Sequence, residues 1–247
     1  MADHTTDELL ARIEELERRL AQHTVPAAPP AADSPGADIW FLLDRSGSMA
    51  SIAPDVVRGF DEFFAEQRTQ EGDATVTLIQ FDDQDSHDVL VDARPLRKVR
   101  SIRGRFEPRG CTPLYDAIGR LLDRAERRLA RHGANPADQL VVIFTDGLEN
   151  ASRDWDARRI NGRIGDLRKA GWTFVFLGAN QDSYATGGQM AMAAGNTANF
   201  AASPASVAAS YRGLSRSVGE FRRKDRARRL AEADDFWGGI KESEEVQ

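Results

Sequence analysis

The chain reads as an α/β protein: a doubly wound, mostly parallel sheet with one antiparallel edge strand, preceded by a short helical arm. Three observations predict this. Apolar runs suited to burial on both faces, such as residues 39–43 and 140–144, alternate with amphipathic stretches of helical period. These runs end in polar turns rich in Asp, Ser and Thr, as the carboxyl ends of parallel strands do around a ligand crevice. The length, 247 residues with 41% apolar content, suffices for one domain of roughly 150–200 residues plus appendages.

The elements follow in order. Leu9, Ile13, Leu16 and Leu20 form a heptad seam within residues 1–23, a short coiled-coil segment through which two copies could associate. Residues 24–37, dominated by Pro and Ala, form a linker. The main domain then spans 38–222. It opens with a strand at 38–43 and a helix from Pro54 to about Gln70, with Val57, Phe60, Phe63 and Phe64 facing inward. A strand at 74–81 is followed, after a short polar connection, by a strand at 87–92. So short a connection makes that strand antiparallel and places it at the sheet edge. A short helix or turn near 95–102 leads to a helix at 113–132, a strand at 139–145, a helix at 155–170 and a strand at 172–178. A helix near 182–193, a strand at 197–200 and a helix at 204–222 complete the alternation. Residues 223–247 read as a charged, solvated tail.

The chemistry sits at two strand ends and one loop. The first strand delivers Asp44-Arg45-Ser46-Gly47-Ser48 onto a tight turn. The strand at 139–145 delivers Asp146, and Thr112 lies just before a helix start in Gly110-Cys111-Thr112-Pro113. The doubly wound topology gathers these three segments at one crevice. Two carboxylates and three hydroxyls make an oxygen-only set suited to Mg²⁺ or Mn²⁺ rather than zinc. Thr112 before Pro113 also reads as a helix cap. Cys111 reads as a small buried filler. Arg45, in the variable slot of Asp-x-Ser-x-Ser, is expected to be exposed and to meet an acidic partner. Asp116, Glu149 and Asn150 are expected at the rim, Asp116 either orienting the Thr112 loop or lying as a surface carboxylate.

This order of Asp-x-Ser-x-Ser, then Thr, then Asp resembles the von Willebrand factor A (VWA) domain with its metal-ion-dependent adhesion site. The general pattern covers roughly residues 38–180. The segments Leu177-Gly178-Ala179-Asn180-Gln181-Asp182 and Gly195-Asn196-Thr197-Ala198-Asn199-Phe200 are similar to stand-alone bacterial VWA proteins, a likeness that reaches about 222. The resemblance implies a Rossmann-like fold. It implies as metal ligands Asp44, Ser46, Ser48, Thr112 and Asp146, holding Mg²⁺ or Mn²⁺. It implies a non-catalytic module whose partner protein completes the coordination with an Asp or Glu side chain, in an intracellular multiprotein assembly.

Composition weighs against other classes. The net charge of −6 disfavours a dedicated nucleic-acid binder, and a single cysteine excludes an intramolecular disulfide or a cysteine metal site. No run is long and apolar enough for a signal or membrane segment, so a cytoplasmic, non-membrane protein is expected. Arg-rich, Ala-rich usage matches a GC-rich bacterial genome. A metal-dependent phosphatase would need a second Asp where Ser46 stands. A serine nucleophile would need a base that His4, His23, His87 and His132 are not placed to supply. Two basic clusters, 94–109 and 222–229, offer a nucleic-acid alternative but lack interleaved aromatics apart from Phe106. In the first, Arg97, Arg100, Arg103, Arg105 and Arg109 run toward Thr112 and are expected to steer an anionic partner to the site.

Overall fold

The computed structural model describes residues 36–131, 136–179, 182–241 and 243–244. The heptad arm, most of the linker and His132 lie outside the described residues. Strand β1 (Ala37–Asp44) starts within the expected linker and is buried along its whole length. Its side chains alternate between two cores: Ile39, Phe41 and Leu43 enter one, Trp40 and Leu42 the other. That two-sided burial makes β1 a central strand.

Helix α1 (Ala53–Gln67) follows, then β2 (Ala74–Phe81), β3 (Asp88–Pro95), α2 (Leu114–Leu129) and β4 (Asp138–Thr145). After these come α3 (Ala157–Lys169), β5 (Thr173–Ala179), α4 (Ser183–Gln189), β6 (Thr197–Phe200), α5 (Pro204–Arg223) and α6 (Arg226–Ala231). The six strands lie in the order β3-β2-β1-β4-β5-β6. All neighbours are parallel except β2 and β3, as the short connection between them predicts. Helices α1 and α5 cover one face through Phe60, Phe63, Phe64, Val207, Leu214 and Val218. Helices α2 and α3 cover the other through Leu114, Ile118, Leu121, Leu122, Ile160 and Ile164. The chain goes from β1 to β2 on one side and later returns to β4 on the other, so a crevice opens beyond Asp44 and Thr145. Among the described residues no helix is long and apolar enough to cross a membrane.

Some expectations need correction. On α1, Val56 is fully buried while Val57 is half-buried, a shift of one position around the helix. The helix expected near 182–193 ends at Gln189, after the Gly187-Gly188 pair that weakens it. The stretch near 95–102 contains only a 3₁₀ turn, Leu96–Lys98. His87 precedes β3 rather than lying on it.

The larger correction concerns the C-terminal segment, which is not a solvated tail. Phe236 and Trp237 join the core beside α5, 6% and 2% exposed. Arg222 is buried and donates to the carbonyls of Gln67, Gln70 and Gly72, closing the C-terminal end of α1. Arg229 donates to the carbonyls of Phe221 and Arg222 at the end of α5 and pairs with Asp138 at 2.7 Å. Arg222 and Arg229 thus satisfy carbonyls at and just beyond helix ends, which the helices leave without partners. We therefore expect Trp237→Ala to cost about 3–5 kcal/mol of stability. Leu230→Ala, at a side chain 51% exposed, should change it by no more than ~0.5 kcal/mol. Chemical denaturation of the two variants checks both values.

Candidate functional site

The β1–β4 register sets Leu43 beside Phe144, so the strands end level and their next residues, Asp44 and Thr145, share the mouth of the crevice. Asp44 is fully buried. Its Oδ1 accepts the Ser46 N–H at 2.7 Å and its Oδ2 accepts the Thr145 hydroxyl at 2.6 Å. The hydroxyls of Ser46 and Ser48 lie 3.0 Å apart, and Ser48 donates to Asp146 Oδ1 at 2.6 Å. Burial pushes the Asp44 carboxyl up to about 6, against the pull of the Thr145 and Ser46 hydrogen bonds; the nearby Asp146 adds to the rise. Burial raises Asp146 as well, against the Ser48 hydroxyl. Both acids pay in desolvation for being charged here.

Gly147 shows where the oxygens point. A Cβ on this residue would stand 2.8 Å from Thr112 Oγ1, 3.5 Å from Ser48 Oγ and 3.6 Å from Asp44 Oδ2. Oxygens from two separate chain segments, the 44–48 turn and the Thr112 loop, converge on one small space beside a third, which the missing side chain of Gly147 leaves open. Among the described residues no three His, Cys, Asp or Glu side chains gather around a metal position. The set here is two carboxylates and three hydroxyls, hard donors that fit Mg²⁺ or Mn²⁺.

Thr112 does not cap α2. The residue flanking that helix is Pro113, and no side chain of the flanking position bonds to it. Instead Glu149 accepts the N–H of Tyr115 in the first turn at 2.9 Å, which leaves the Thr112 hydroxyl to the crevice. Thr112 and Asn150 are joined twice: Thr112 N–H donates to Asn150 Oδ1 at 2.8 Å, and Asn150 N–H to the Thr112 carbonyl at 3.1 Å. Glu149 also accepts the N–H groups of Ala151 and Ser152. Glu149 and Asn150 therefore brace the Thr112 and Asp146 loops against each other.

Other expected roles change. Asp116 is buried and accepts the N–H groups of Arg153, Asp154 and Trp155 at 2.8–2.9 Å, so it orders the loop after Asn150 rather than the Thr112 loop or a surface. Arg45 is 6% exposed, held by Asp82 and Asp88, and does not face a partner. Cys111 is exposed rather than a buried filler.

The basic segment is not a single rim. Strand β3 runs from Asp88, opposite Gln80, to Pro95, opposite Thr75, away from the crevice. Arg97 accordingly lies at the far end of the sheet, within electrostatic reach of Arg222. Arg100 and Arg103 flank the returning chain, where Ser101 bonds Asp61 of α1. Arg105 donates to the Leu90 carbonyl at 3.1 Å, and Arg109 reaches Asp82 at 2.7 Å. Arg109 alone of the five is tied, through Asp82 and the Arg45 carbonyl, to the loops that present the clustered oxygens. Sequence reasoning missed Thr145, Gly147 and Asp82. The recurring signal was a polar residue directly after a buried strand, which Asp82 after β2 shares with Asp146 after β4.

The von Willebrand factor type A domain family matches residues 38–210. No curated protein sequence gives a significant match. Among solved structures, the pilus adhesin SpaC from Lactobacillus rhamnosus GG in its open conformation superposes with a TM-score of 0.59 at 15% identity, covering 79% of this chain and 31% of that one. Proximal thread matrix protein 1 from the mussel byssus gives 0.54 at 15% identity, covering 78% and 48%. The SpRpn10 VWA domain gives 0.52 at 12% identity, covering 72% and 95%. The chain spans less than half the length of the first two. At these identities the likeness is one of fold.

Because folding raises the Asp44 pKa from 3.8 to about 6, the native state holds a proton that the unfolded chain releases between those values. This group therefore favours the metal-free fold below about pH 4 and withdraws that contribution as pH rises through 6. In EDTA at pH 7.5, Asp44→Asn should match or exceed the wild-type stability, by up to about 3 kcal/mol. Added Mg²⁺ at a hundredfold excess over its dissociation constant should stabilise the wild type by ~2.7 kcal/mol and the variant hardly at all. Gly147→Ala, whose methyl enters the oxygen cluster, should also lose the Mg²⁺ effect. Thermal melts with and without Mg²⁺ check all three proteins.

Proposed function

The chain belongs to the von Willebrand factor type A domain family, and on that premise we propose that it is a non-catalytic module binding a protein partner through a divalent cation, Mg²⁺ or Mn²⁺. Domains of this family commonly bind a divalent metal and often take part in metal-dependent protein interactions. The observation that carries the reading is the convergence of Asp44, Ser48 and Thr112 oxygens beside Gly147, with Ser46 and Asp146 joined to the same cluster.

Asp44, Ser46, Ser48, Thr112 and Asp146 would hold the ion. A bound divalent cation, surrounded largely by neutral hydroxyls, would supply an electrophilic position for an Asp or Glu carboxylate of the partner. The chain's own work is preorganisation. Ser46 N–H and the Thr145 hydroxyl keep Asp44 aimed. Ser48 aligns Asp146, and Asn150 with Glu149 fixes the Thr112 turn. Arg109, half-exposed beside these loops, would favour the approach of an acidic side chain.

A binding role, rather than hydrolysis, is supported by what surrounds the hydroxyls. Ser48 already donates to Asp146, and Asp44 is engaged by Thr145 and Ser46. His87 sits in the β2–β3 connection, where burial and the nearby Arg124 push its pKa down. Nucleic-acid binding through 222–229 is disfavoured because Arg222 and Arg229 are buried against carbonyls. A cytoplasmic setting in a bacterial multiprotein assembly, with self-association through residues 1–23, completes the proposal.

Affinity capture from the native host tests it. Partners should stay bound to the wild type in Mg²⁺ and be lost in EDTA, and Asp44→Ala should recover none in either buffer. Capture indifferent to EDTA and to Asp44→Ala would sink the proposal.

A further inference from the structure

Asp82 follows β2 as Asp146 follows β4, one residue beyond Phe81, which lies opposite Asp44. It is fully buried. Its Oδ2 accepts from Arg45 Nε at 2.9 Å and from Arg109 Nε at 2.7 Å. Its Oδ1 accepts the N–H groups of Gln84 and Asp85 at 2.8 Å, which fixes the carboxylate in place. The two arginines belong to different ligand-bearing segments. Arg45 stands between Asp44 and Ser46, and Arg109 lies three residues before Thr112.

The backbone follows the same seam. Arg45 N–H donates to the Phe81 carbonyl at 2.9 Å, Arg109 N–H to the Arg45 carbonyl at 2.8 Å, and Gly47 N–H to the Gly110 carbonyl at 3.0 Å. Gly110 has φ +66°, and a side chain there would run into Asp83, so the turn before Thr112 sits directly against the loop that carries Asp82. Asp88 adds a second acid on Arg45 at 2.9 Å. Arg45 and Arg109 are thereby balanced by Asp82 and Asp88. Burial pushes the Asp82 carboxyl up, but the hydrogen bonds from Arg109, Asp85 and Gln84 and the charge of Arg45 outweigh it and hold it below the usual range.

We propose that Asp82 is a positioning residue for the metal site: by gripping Arg45 and Arg109 with one carboxylate oxygen it sets the spacing between the Asp44–Ser48 turn and the Thr112 turn, without touching the ion. This rests on the divalent-cation reading above. Residues that orient ligands from behind commonly govern affinity as strongly as some ligands do, since a misplaced oxygen binds poorly.

The test uses two variants that loosen the same clamp while changing the local charge in opposite directions. Asp82→Asn leaves an extra positive charge near the site and Arg109→Met removes one. If spacing governs binding, both lower Mn²⁺ affinity, by roughly tenfold or more. If only the local field matters, Asp82→Asn weakens the ion and Arg109→Met strengthens it; that result overturns the inference. A second readout needs no ion: in EDTA, amide hydrogen exchange at Gly47 and at position 109 should quicken in both variants, and unchanged exchange also overturns it. Asp138→Asn, which breaks the pairs with Arg226 and Arg229 at the other end of the sheet, controls for general destabilisation. It should lower the melting temperature and leave Mn²⁺ affinity unchanged. A wild type that binds no Mn²⁺ sinks the cation reading, whereas the exchange result decides the clamp separately.

Discussion

The buried carboxylate of Asp44 is the constraint to which the rest of the site answers. A carboxylate taken from water is costly unless hydrogen bonds or a cation compensate. Here one N–H and one hydroxyl reach it, yet its pKa still rises to about 6 with Asp146 close by. The apolar strand that carries Asp44 into the interior is central to the sheet, so the acid cannot retreat to solvent without unmaking β1. The fold thus holds two acids where their charge is under-compensated, and a divalent cation is the simplest species that relieves both.

Around that constraint the loops are braced in two tiers. Ser46, Ser48, Thr112 and Thr145 face the crevice, and Asp82, Asp116, Glu149 and Asn150 hold the segments that present them. Each of these four accepts hydrogen bonds from backbone or arginine N–H groups of neighbouring turns. Carboxylates suit this task because one oxygen can accept several donors and draw separate turns together. Asp82, Asp116 and Glu149 are therefore occupied in bracing the loops, whereas Asp44 and Asp146 face the crevice.

Much of this was legible in the sequence, for local reasons. Continuous apolar runs and helical periods marked the strands and helices, and the short polar connection before β3 predicted its antiparallel run. The oxygens at the crevice stood out because Asp44 and Asp146 sit at strand ends, where topology alone brings them together. What sequence could not show depends on distant partners. Arg45 looks exposed until Asp82, across the neighbouring strand, buries it. Arg222 and Arg229 look like a solvated basic run until the carbonyls at the ends of α1 and α5 meet them. Thr112 looked like a helix cap because its actual substitute, Glu149, comes from a loop after β4. Local spacing carries no record of such pairings.

Whether the oxygens beside Gly147 form one divalent-cation site is open to direct measurement. Isothermal titration of Mn²⁺ into the wild-type protein and into Asp44→Ala at pH 7.5, followed by competition with Mg²⁺, tests it most directly. One Mn²⁺ per chain for the wild type, displaced by Mg²⁺ and absent from Asp44→Ala, is the predicted result. No bound Mn²⁺, or binding that survives Asp44→Ala unchanged, would contradict it.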